Sequence, residues 1–427
     1  MKITIENIGV LGKISVELAG ITVIAGENDS GKSTIGKIFF ALVHAFSNYP
    51  VLLQQERKES IRRQIERIFF ELRRNFDLSQ FPQIRESFSP PLLIRRIELL
   101  DEAALLDMSM MLNTLKEASP DKATVLKLAQ DRLDKLRDYV RIEISDKDAI
   151  ANSIFKALQS EFGGEIVNKS QTNNAKITLS DGETNIFDVT LSDSGIIDFH
   201  GGENMGLEDA TFVEGPAVIQ FNNAMSGYSP LGESNRTSSG SIPFHTLDLS
   251  QKLRNGKFGL FNLDNSNSNL NLGNIYKGKV YFDDEEKSFF LRKGNYRVSS
   301  DNIASGVKAL GLIDMLISGG YVGERMLLIL DEPETNLHPK WQIEYAKVLC
   351  ELASRGATIL VTTHSPYMLE ALKGFVGKFN AKANFYLASK SEDNEINYVD
   401  TTTNISPIIR VLSDPLSKLI DDISDEF

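Results

Sequence analysis

Residues 21–46, ITVIAGENDSGKSTIGKIFFALVHAF, leave a folding chain few options. A β-branched apolar run enters a loop punctuated by glycine, and apolar residues at helical spacing follow, so the stretch predicts a buried strand, a tight loop and a helix in succession. The loop GENDSGKS fits G-x-x-x-x-G-K-[ST] at Gly26, Gly31, Lys32 and Ser33. Glycines at those places let successive amide hydrogens and the helix start converge on phosphate oxygens. The pattern predicts that Lys32 reaches the β- and γ-phosphates of a nucleotide, that Ser33 ligates magnesium, and that Glu27, Asn28, Asp29, Ser30 and Thr34 complete the cradle.

A second stretch, MLLILDEPETNLHPKWQ from Met326 to Gln342, runs five apolar residues into Asp331 and Glu332 and then a proline. Charge at the end of a core strand is costly unless something compensates it. Neighbouring strand side chains point to opposite faces, so both carboxylates approach one site only where the strand ends and the chain turns. Asp331 is then the expected second magnesium ligand, and Glu332 the group that orients or deprotonates an attacking water. A solvated acidic turn is the plain alternative. The next apolar run, ILVTTHSP, places His364 at a strand end level with Glu332, where an imidazole can donate to a γ-phosphate or hold the water. The other histidines, His44, His200, His245 and His338, carry no catalytic expectation.

The remainder of the chain frames these motifs. KITIENI and KISVELA precede the first motif as short strands, and residues Ala175 to Phe199 alternate with turns at Asp181-Gly182 and Ser194-Gly195, as a β-meander would. From about Asn48 to Phe162 the pattern is helical and charged, with breaks at Pro82, Pro90-Pro91 and Pro120. There Arg57, Arg62, Arg63, Arg67, Arg73 and Arg74 could face DNA or a partner. Interleaved Glu56, Glu59, Glu66 and Glu71 equally suit a solvated helix with i to i+4 pairs. Two polar stretches, residues 228–241 and 262–274, read as loops, and KVYFDDEEKSFFLRKGNYRVSS adds a further strand group. After Gly323 strands alternate with helices, the pattern of an α/β layered core with mainly parallel pairing.

Composition enters as a constraint on partners. With 58 Asp plus Glu against 46 Lys plus Arg, a surface that wraps nucleic acid throughout is disfavoured, though a local basic groove is not. The one cysteine, Cys350, excludes an intramolecular disulfide and falls at an apolar helical position expected in the core. No membrane-length apolar window and no signal-type N-terminus are present, which predicts a cytoplasmic protein with no membrane partner.

Together the phosphate loop, LLILDEPE and TTHSP resemble the ATP-binding-cassette class of ATPases. That resemblance implies a signature motif upstream of the acidic strand, and NIASGVKALGLIDML supplies one, with Ser305, Gly306 and Lys308. In that class the signature serine and the helix start behind it bind the γ-phosphate held by a second subunit. The implied assembly is an ATP-sandwich homodimer or a higher oligomer, with Mg2+ as the metal. Within the class, DEPETNLHPKWQ and THSPYMLEAL look most like the OLD-type and RecF/SMC-like branch of AAA family ATPases, which includes ATPase subunits of anti-phage systems such as Septu, Gabija and PARIS. NLHP stands where transporter motors carry their D-loop, and nearly 300 residues separate Lys32 from Asp331, which disfavours a transporter motor.

The match is loose in the middle of the chain. FVEGPAVIQF fits the family's strand after the insertion, and Gln220 is the candidate for its metal-side glutamine. About sixty residues follow His364, too few for the Toprim nuclease domain of OLD and Gabija chains, so this chain is not expected to be a nuclease itself.

The fold class that follows is α/β: a cassette-ATPase-type P-loop core with a mixed, mainly parallel sheet, flanking helices and an antiparallel β subdomain, interrupted by a helical insertion. The expected divisions are residues 1–45 for the first part of the ATPase head and 46–165 for the helical insertion. Residues 166–300 form the β-rich part, 301–400 the second part of the head, and 401–427 a terminal helix and acidic tail. That tail, around Leu416, Leu419, Ile420 and Ile423, is a candidate docking segment. The resemblance implies an ATPase that controls a separately encoded effector, such as a nuclease or toxin, in phage defence. A DNA-clamping maintenance ATPase is the alternative.

Overall fold

A computed structural model describes residues 1–77, 80–81, 89–98, 102–141, 145–169, 173–225, 242–256, 272–391 and 396–414. Pro82, the loop at 228–241, residues 262–271 of the second polar loop, and Leu416, Leu419, Ile420 and Ile423 of the tail lie outside the described residues. The chain forms two compact units, one of residues 1–47 with 150–427 and one of residues 48–149.

The first unit is built on a six-stranded sheet. Its strands are β3 (Ile21–Gly26), β7 (Asp209–Val213), β11 (Met326–Asp331), β12 (Thr358–Thr363), β13 (Ala383–Lys390) and β14 (Ile396–Asp400), in the order β14-β13-β3-β12-β11-β7. All pairings are parallel except β13 with β14. Every residue of β3 is buried. Such a strand reads as a continuous apolar run because helices cover both faces of a parallel sheet.

Alternation sorts the side chains of these strands. Val23, Leu328, Leu330, Ile359, Val361 and Phe385 join one cluster with Leu310, Ile313 and Leu316 of the helix Ser305–Ser318, with Tyr345 and Leu349 of the helix Pro339–Ser354, and with Leu369 and Leu372 of the helix Pro366–Phe379. Cys350 sits in this cluster, fully buried, and burial pushes its thiol up to about 12, so it is core rather than reactive. On the opposite face the helix that begins at Lys32 lies close, with Gly36 against Ile329 and Phe212. A Cβ at Gly36 would stand 3.1 Å from Ile329 Cγ2, so the absence of a side chain sets the helix-to-sheet approach.

Two antiparallel sheets complete this unit. One has the order β2-β1-β4-β5-β6, from β1 (Lys2–Ile8), β2 (Leu11–Glu17), β4 (Ala175–Asp181), β5 (Thr184–Ser192) and β6 (Gly195–Gly201). Its β4-β5 turn places Gly182 at φ 57°, as the Asp-Gly signal requires. The other is β10-β9-β8, from β8 (Lys279–Asp283), β9 (Ser288–Lys293) and β10 (Tyr296–Ser299). The α/β architecture with an antiparallel subdomain is the one expected. A correction concerns FVEGPAVIQF, which is not one strand. β7 stops at Val213, and a helix, Ala217–Met225, starts directly after Pro216. Proline's fixed φ and missing donor suit the entry to a helix and not the interior of a sheet.

The second unit, residues 48–149, is helical. Ile61, Ile65, Ile68 and Leu72 recur at spacings of four, three and four, and they pack with Met108, Leu112, Leu115, Leu126, Leu133 and Leu136. Arg132 pairs with Glu71 beside this core. Among the described residues no helix is long and apolar enough to cross a membrane.

Candidate functional site

The loop between β3 and the helix Lys32–Asn75 turns through two left-handed residues, Asp29 at φ 61° and Gly31 at φ 73°. A Cβ at Gly31 would fall 2.5 Å from Leu11 Cδ2, so both backbone angle and space call for glycine there. Ser30 Oγ donates to Glu27 O at 2.7 Å and closes the loop on itself. The Lys32 side chain is only 4% exposed. Its ammonium donates to Gly26 O at 3.1 Å, Glu27 O at 2.5 Å and Ser30 Oγ at 3.4 Å. Burial depresses the Lys32 pKa, and the negative charges of Glu332, Asp331, Glu334 and Glu27 oppose that shift. Asp29 faces away toward Lys390, 2.8 Å off at the end of β13.

Asp331 ends β11, where its carboxylate accepts from Thr362 of β12 and from Ser33. Burial raises its pKa first, the Thr362 and Ser33 hydroxyls lower it, and the charges of Glu332 and Glu214 raise it further. Glu332 follows at φ 48°, a left-handed geometry that costs a non-glycine residue about 1 kcal/mol. Its amide is held by Thr362 O and Thr362 Oγ1, each at 3.1 Å. The turn lets two adjacent carboxylates leave the strand toward the same end of the sheet.

His364 lies one residue past β12, with Nδ1 3.3 Å from Glu332 Oε1 and 3.6 Å from Glu334 Oε1. Glu334 is a residue to which sequence reasoning assigned no part. It is 4% exposed, and its Oε1 accepts from Thr363 Oγ1 at 2.6 Å, His364 N at 2.9 Å and Ser365 N at 3.2 Å. One buried carboxylate thus ties the acidic turn to the histidine turn. Ser365 continues the lattice, donating to Gln342 Oε1 at 2.7 Å and capping the next helix through Met368 N.

The donor set suits a small hard cation. Ser33 and Asp331 offer oxygen atoms in hydrogen-bond contact at the start of a helix, and magnesium is commonly held by one or two such groups plus substrate phosphates. Among the described residues no group of three or more His, Cys, Asp or Glu that could hold a metal ion is found.

The signature residues separate. Ser305 is exposed at the first turn of the helix Ser305–Ser318, whose N-cap is Ala304. Gly306 is buried against Asn336 O, Trp341 and Leu337, where a Cβ would come within 3.0 Å of that carbonyl. Lys308 is 6% exposed and donates to Gln220 Oε1 at 3.4 Å. Direct ligand contact was expected of all three, and only Ser305 stands open to make it. Gln220 needs a similar correction. It sits on the helix Ala217–Met225 with its amide oxygen on Lys308, because Gly215-Pro216 ends the strand that would have carried it to the metal side.

The residue that does follow β7 is Glu214. Its Oε2 lies 3.3 Å from His245 Nε2, while His245 Nδ1 lies 2.6 Å from Glu161 Oε2 and His245 N donates to Glu161 Oε1 at 2.7 Å. The imidazole is 1% exposed and packs on Phe212, ring centroids 4.6 Å apart. Burial alone would push its pKa down, but the hydrogen bonds and charges of Glu161 and Glu214 outweigh that and raise it to about 9. The hydrogen bond to His245 in turn lowers the pKa of Glu214. A signal for Glu214 was available, since it follows the strand-like run ATFV much as Asp331 follows LLIL. Nothing local pointed to His245 or Glu161.

This arrangement has a measurable consequence for stability. A histidine whose folded pKa exceeds its unfolded value of 6.5 contributes fully below that value and loses its contribution as pH rises through about 9. The stability this group contributes is expected to fall by on the order of 2 to 3 kcal/mol between about pH 7 and pH 10, and the melting temperature with it. Scanning calorimetry of the protein and of His245→Gln checks this; the variant's curve should be the flatter of the two.

Comparisons with known proteins extend the picture. Residues 114–370 match the family described as "AAA domain, putative AbiEii toxin, Type IV TA system", more than half of the chain. The match spans Ser305, Asp331, Glu332 and His364 and leaves the loop at 26–33 outside it. No curated protein matches. Among solved structures, the SMC head domain from Thermotoga maritima aligns at 12% identity and a TM-score of 0.39, over 93% of this chain and 97% of that one. An SmcHead bound to the C-winged helix domain of ScpA aligns at 10% identity and 0.42, over 94% and 97%. An Smc head domain with an extended coiled coil, bound to the C-terminal domain of ScpA and derived from Pyrococcus furiosus, aligns at 10% identity and 0.32, over 99% and 98%. Likeness at this level carries no inference about substrates or partners.

Proposed function

The chain belongs to that family of AAA domains, and from this premise we propose that it binds and hydrolyses ATP with magnesium, closes as a dimer or higher oligomer around the nucleotide, and controls a separately encoded effector. One observation carries the ATPase reading. The ends of three adjacent strands, β3, β12 and β11, deliver Lys32 and Ser33, His364, and Asp331 with Glu332 to one edge of the sheet. The edge at the carboxyl ends of parallel strands is where such sheets take ligands.

In this reading the Lys32 ammonium exchanges its carbonyl partners for β- and γ-phosphate oxygens. Ser33 and Asp331 would hold a magnesium ion, which would supply positive charge against the phosphates. Glu332 takes the proton of the attacking water. His364, 3.3 Å from Glu332, and buried Glu334 keep that carboxylate and the neighbouring backbone in place. The exposed Ser305 hydroxyl, at a helix start suited to anions, reaches the γ-phosphate carried by a second copy. The family's description, which names a type IV toxin–antitoxin system, supports a place for the chain in a system of that kind.

Size-exclusion chromatography of Glu332→Gln with ATP and magnesium tests the assembly. A shift to twice the monomer mass is expected, and Ser305→Arg should abolish the shift while leaving ATP bound to the monomer. Persistence of the shift in the double variant would sink the sandwich. A second reading, a DNA-clamping ATPase, is favoured by one observation. Arg62, Arg67, Arg73 and Arg74 are exposed around an exposed Phe70, on the helix side away from Ile61, Ile65, Ile68 and Leu72. Basic side chains with an interleaved aromatic suit a nucleic acid. Running the same column with labelled duplex and with the neighbouring gene's product separates the two: retention of duplex alone favours the clamp.

A further inference from the structure

We propose that Tyr398 is a positioning residue of the phosphate loop, whose hydroxyl takes up the Gly26 carbonyl when Lys32 leaves that carbonyl for the nucleotide. The inference rests on the nucleotide reading above and concerns a residue that reading does not use. An orphaned group is the first ground. Tyr398 lies on the edge strand β14 and is partly exposed, yet its hydroxyl is shut off from solvent and has no hydrogen-bond partner among the described residues. The side chain therefore points its tip inward from the sheet edge. A buried tyrosine hydroxyl usually finds a partner, because an unpaired one has given up its bonds to water for nothing.

Direction is the second ground. Phe385 and Leu387 turn into the cluster on one face of the six-stranded sheet, so Tyr386 and Ala388 turn to the other face, where the helix from Lys32 lies. Tyr398 is the registered partner of Ala388, which is in turn the partner of Gly26, and registered partners share a face. Two such small residues leave the ring room to lean along that row toward the loop. Ile396, on the same face two residues before Tyr398, meets the loop directly: a Cβ at Gly31 would stand 3.4 Å from its Cδ1. Electrostatics agree. Burial first, and then the charge of Asp331, raise the Tyr398 pKa, so the hydroxyl senses a carboxylate that stands beyond β13, β3 and β12.

A donor that departs is the third ground. The Lys32 ammonium donates to Gly26 O at 3.1 Å and to Glu27 O at 2.5 Å. Its move to the phosphates strips both carbonyls of that donor. Of the two, Gly26 O belongs to the residue level with Tyr398 in the sheet. A donor without an acceptor and an acceptor about to lose its donor thus share one row, and each is costly to bury unless they meet. Tyr398 acts through the loop and touches no reacting atom.

Tyr398→Phe in the full chain is the test, read by thermal melting without nucleotide and by titration with fluorescent ATP in magnesium. Without nucleotide the variant should melt at the wild-type temperature or a few degrees above it, because an unpaired buried group has gone. Its ATP affinity should fall about 5- to 100-fold, because a loop carbonyl of the complex is left without a donor. A hydroxyl with a purely structural part gives the opposite pair of results. Tyr386→Phe is the control, since the Tyr386 hydroxyl already accepts from Glu17 N at 3.0 Å. That variant should melt lower and keep its ATP affinity. If Tyr398→Phe melts several degrees below wild type without nucleotide, its hydroxyl is bonded in the free protein and the proposal is overturned. ATP affinity within about twofold of wild type overturns it as well. A wild-type chain that binds no ATP would overturn the nucleotide reading itself, a result distinct from both.

Discussion

Glu332→Gln will hold ATP and cease to turn it over. Gln keeps the size of the side chain and the amide contacts to Thr362 that place it, and it removes the group able to accept a proton. General-base catalysis contributes about 10²- to 10⁴-fold, so the catalytic constant should fall by at least two orders of magnitude. Binding should move the other way. Glu332 is one of the carboxylates whose charge reaches both Lys32 and Asp331, and its neutralisation relieves repulsion toward a triphosphate. Single-turnover phosphate release together with fluorescent-nucleotide titration checks both halves. Turnover within about tenfold of wild type would remove Glu332 from the mechanism and leave His364 and Asp331 as the groups to explain it.

Lys32→Ala is expected to lose nucleotide affinity by roughly 100-fold or more. Two charge-assisted hydrogen bonds to phosphate oxygens are worth about 1.5–3 kcal/mol each, and each 1.4 kcal/mol is a factor of ten. The loop should suffer as well. The ammonium satisfies Gly26 O and Glu27 O and is the cation amid Glu27, Asp331, Glu332 and Glu334, so its removal leaves carbonyls without that donor and carboxylates facing one another. A melting temperature lowered by several degrees without nucleotide, and unresponsive to added ATP, is the expected signature. If ATP still raises the melting temperature of Lys32→Ala as it does that of wild type, the phosphate contact assigned to this residue is wrong.

Of the candidate site, the parts written on consecutive residues were legible. GENDSGKS carries its own strand and helix on either side, and Asp331 with Glu332 marks the end of an apolar run, so one short window defines each geometry. His364 was legible for the same reason, since a second apolar run ends just before it. The α/β class followed from strands and helices that alternate after Gly323. Glu334 stood in plain view inside DEPET, yet its partners Thr363, His364 and Ser365 belong to another strand's end, and no spacing within the motif reveals them.

The middle of the chain read least well. Gln220 was the candidate for the metal-side glutamine, and the break at Gly215-Pro216 puts it on a helix beside Lys308. Gly306, next to Ser305 in the chain, turns inward against Leu337 and Trp341, and Lys308, on another side of the same helix, turns toward Gln220.

Local chemistry, then, was enough to specify a phosphate loop, a carboxylate pair and a histidine, because each depends on backbone conformations that its own residues impose. Which of them meet, and that Glu161, Glu214 and His245 form one hydrogen-bonded chain next to Asp331, depended on the strand order β3-β12-β11-β7 and its parallel register. Those are set by burial on both sheet faces summed over hundreds of residues. A short window of sequence holds only a small share of that energy, and so it cannot name its neighbours.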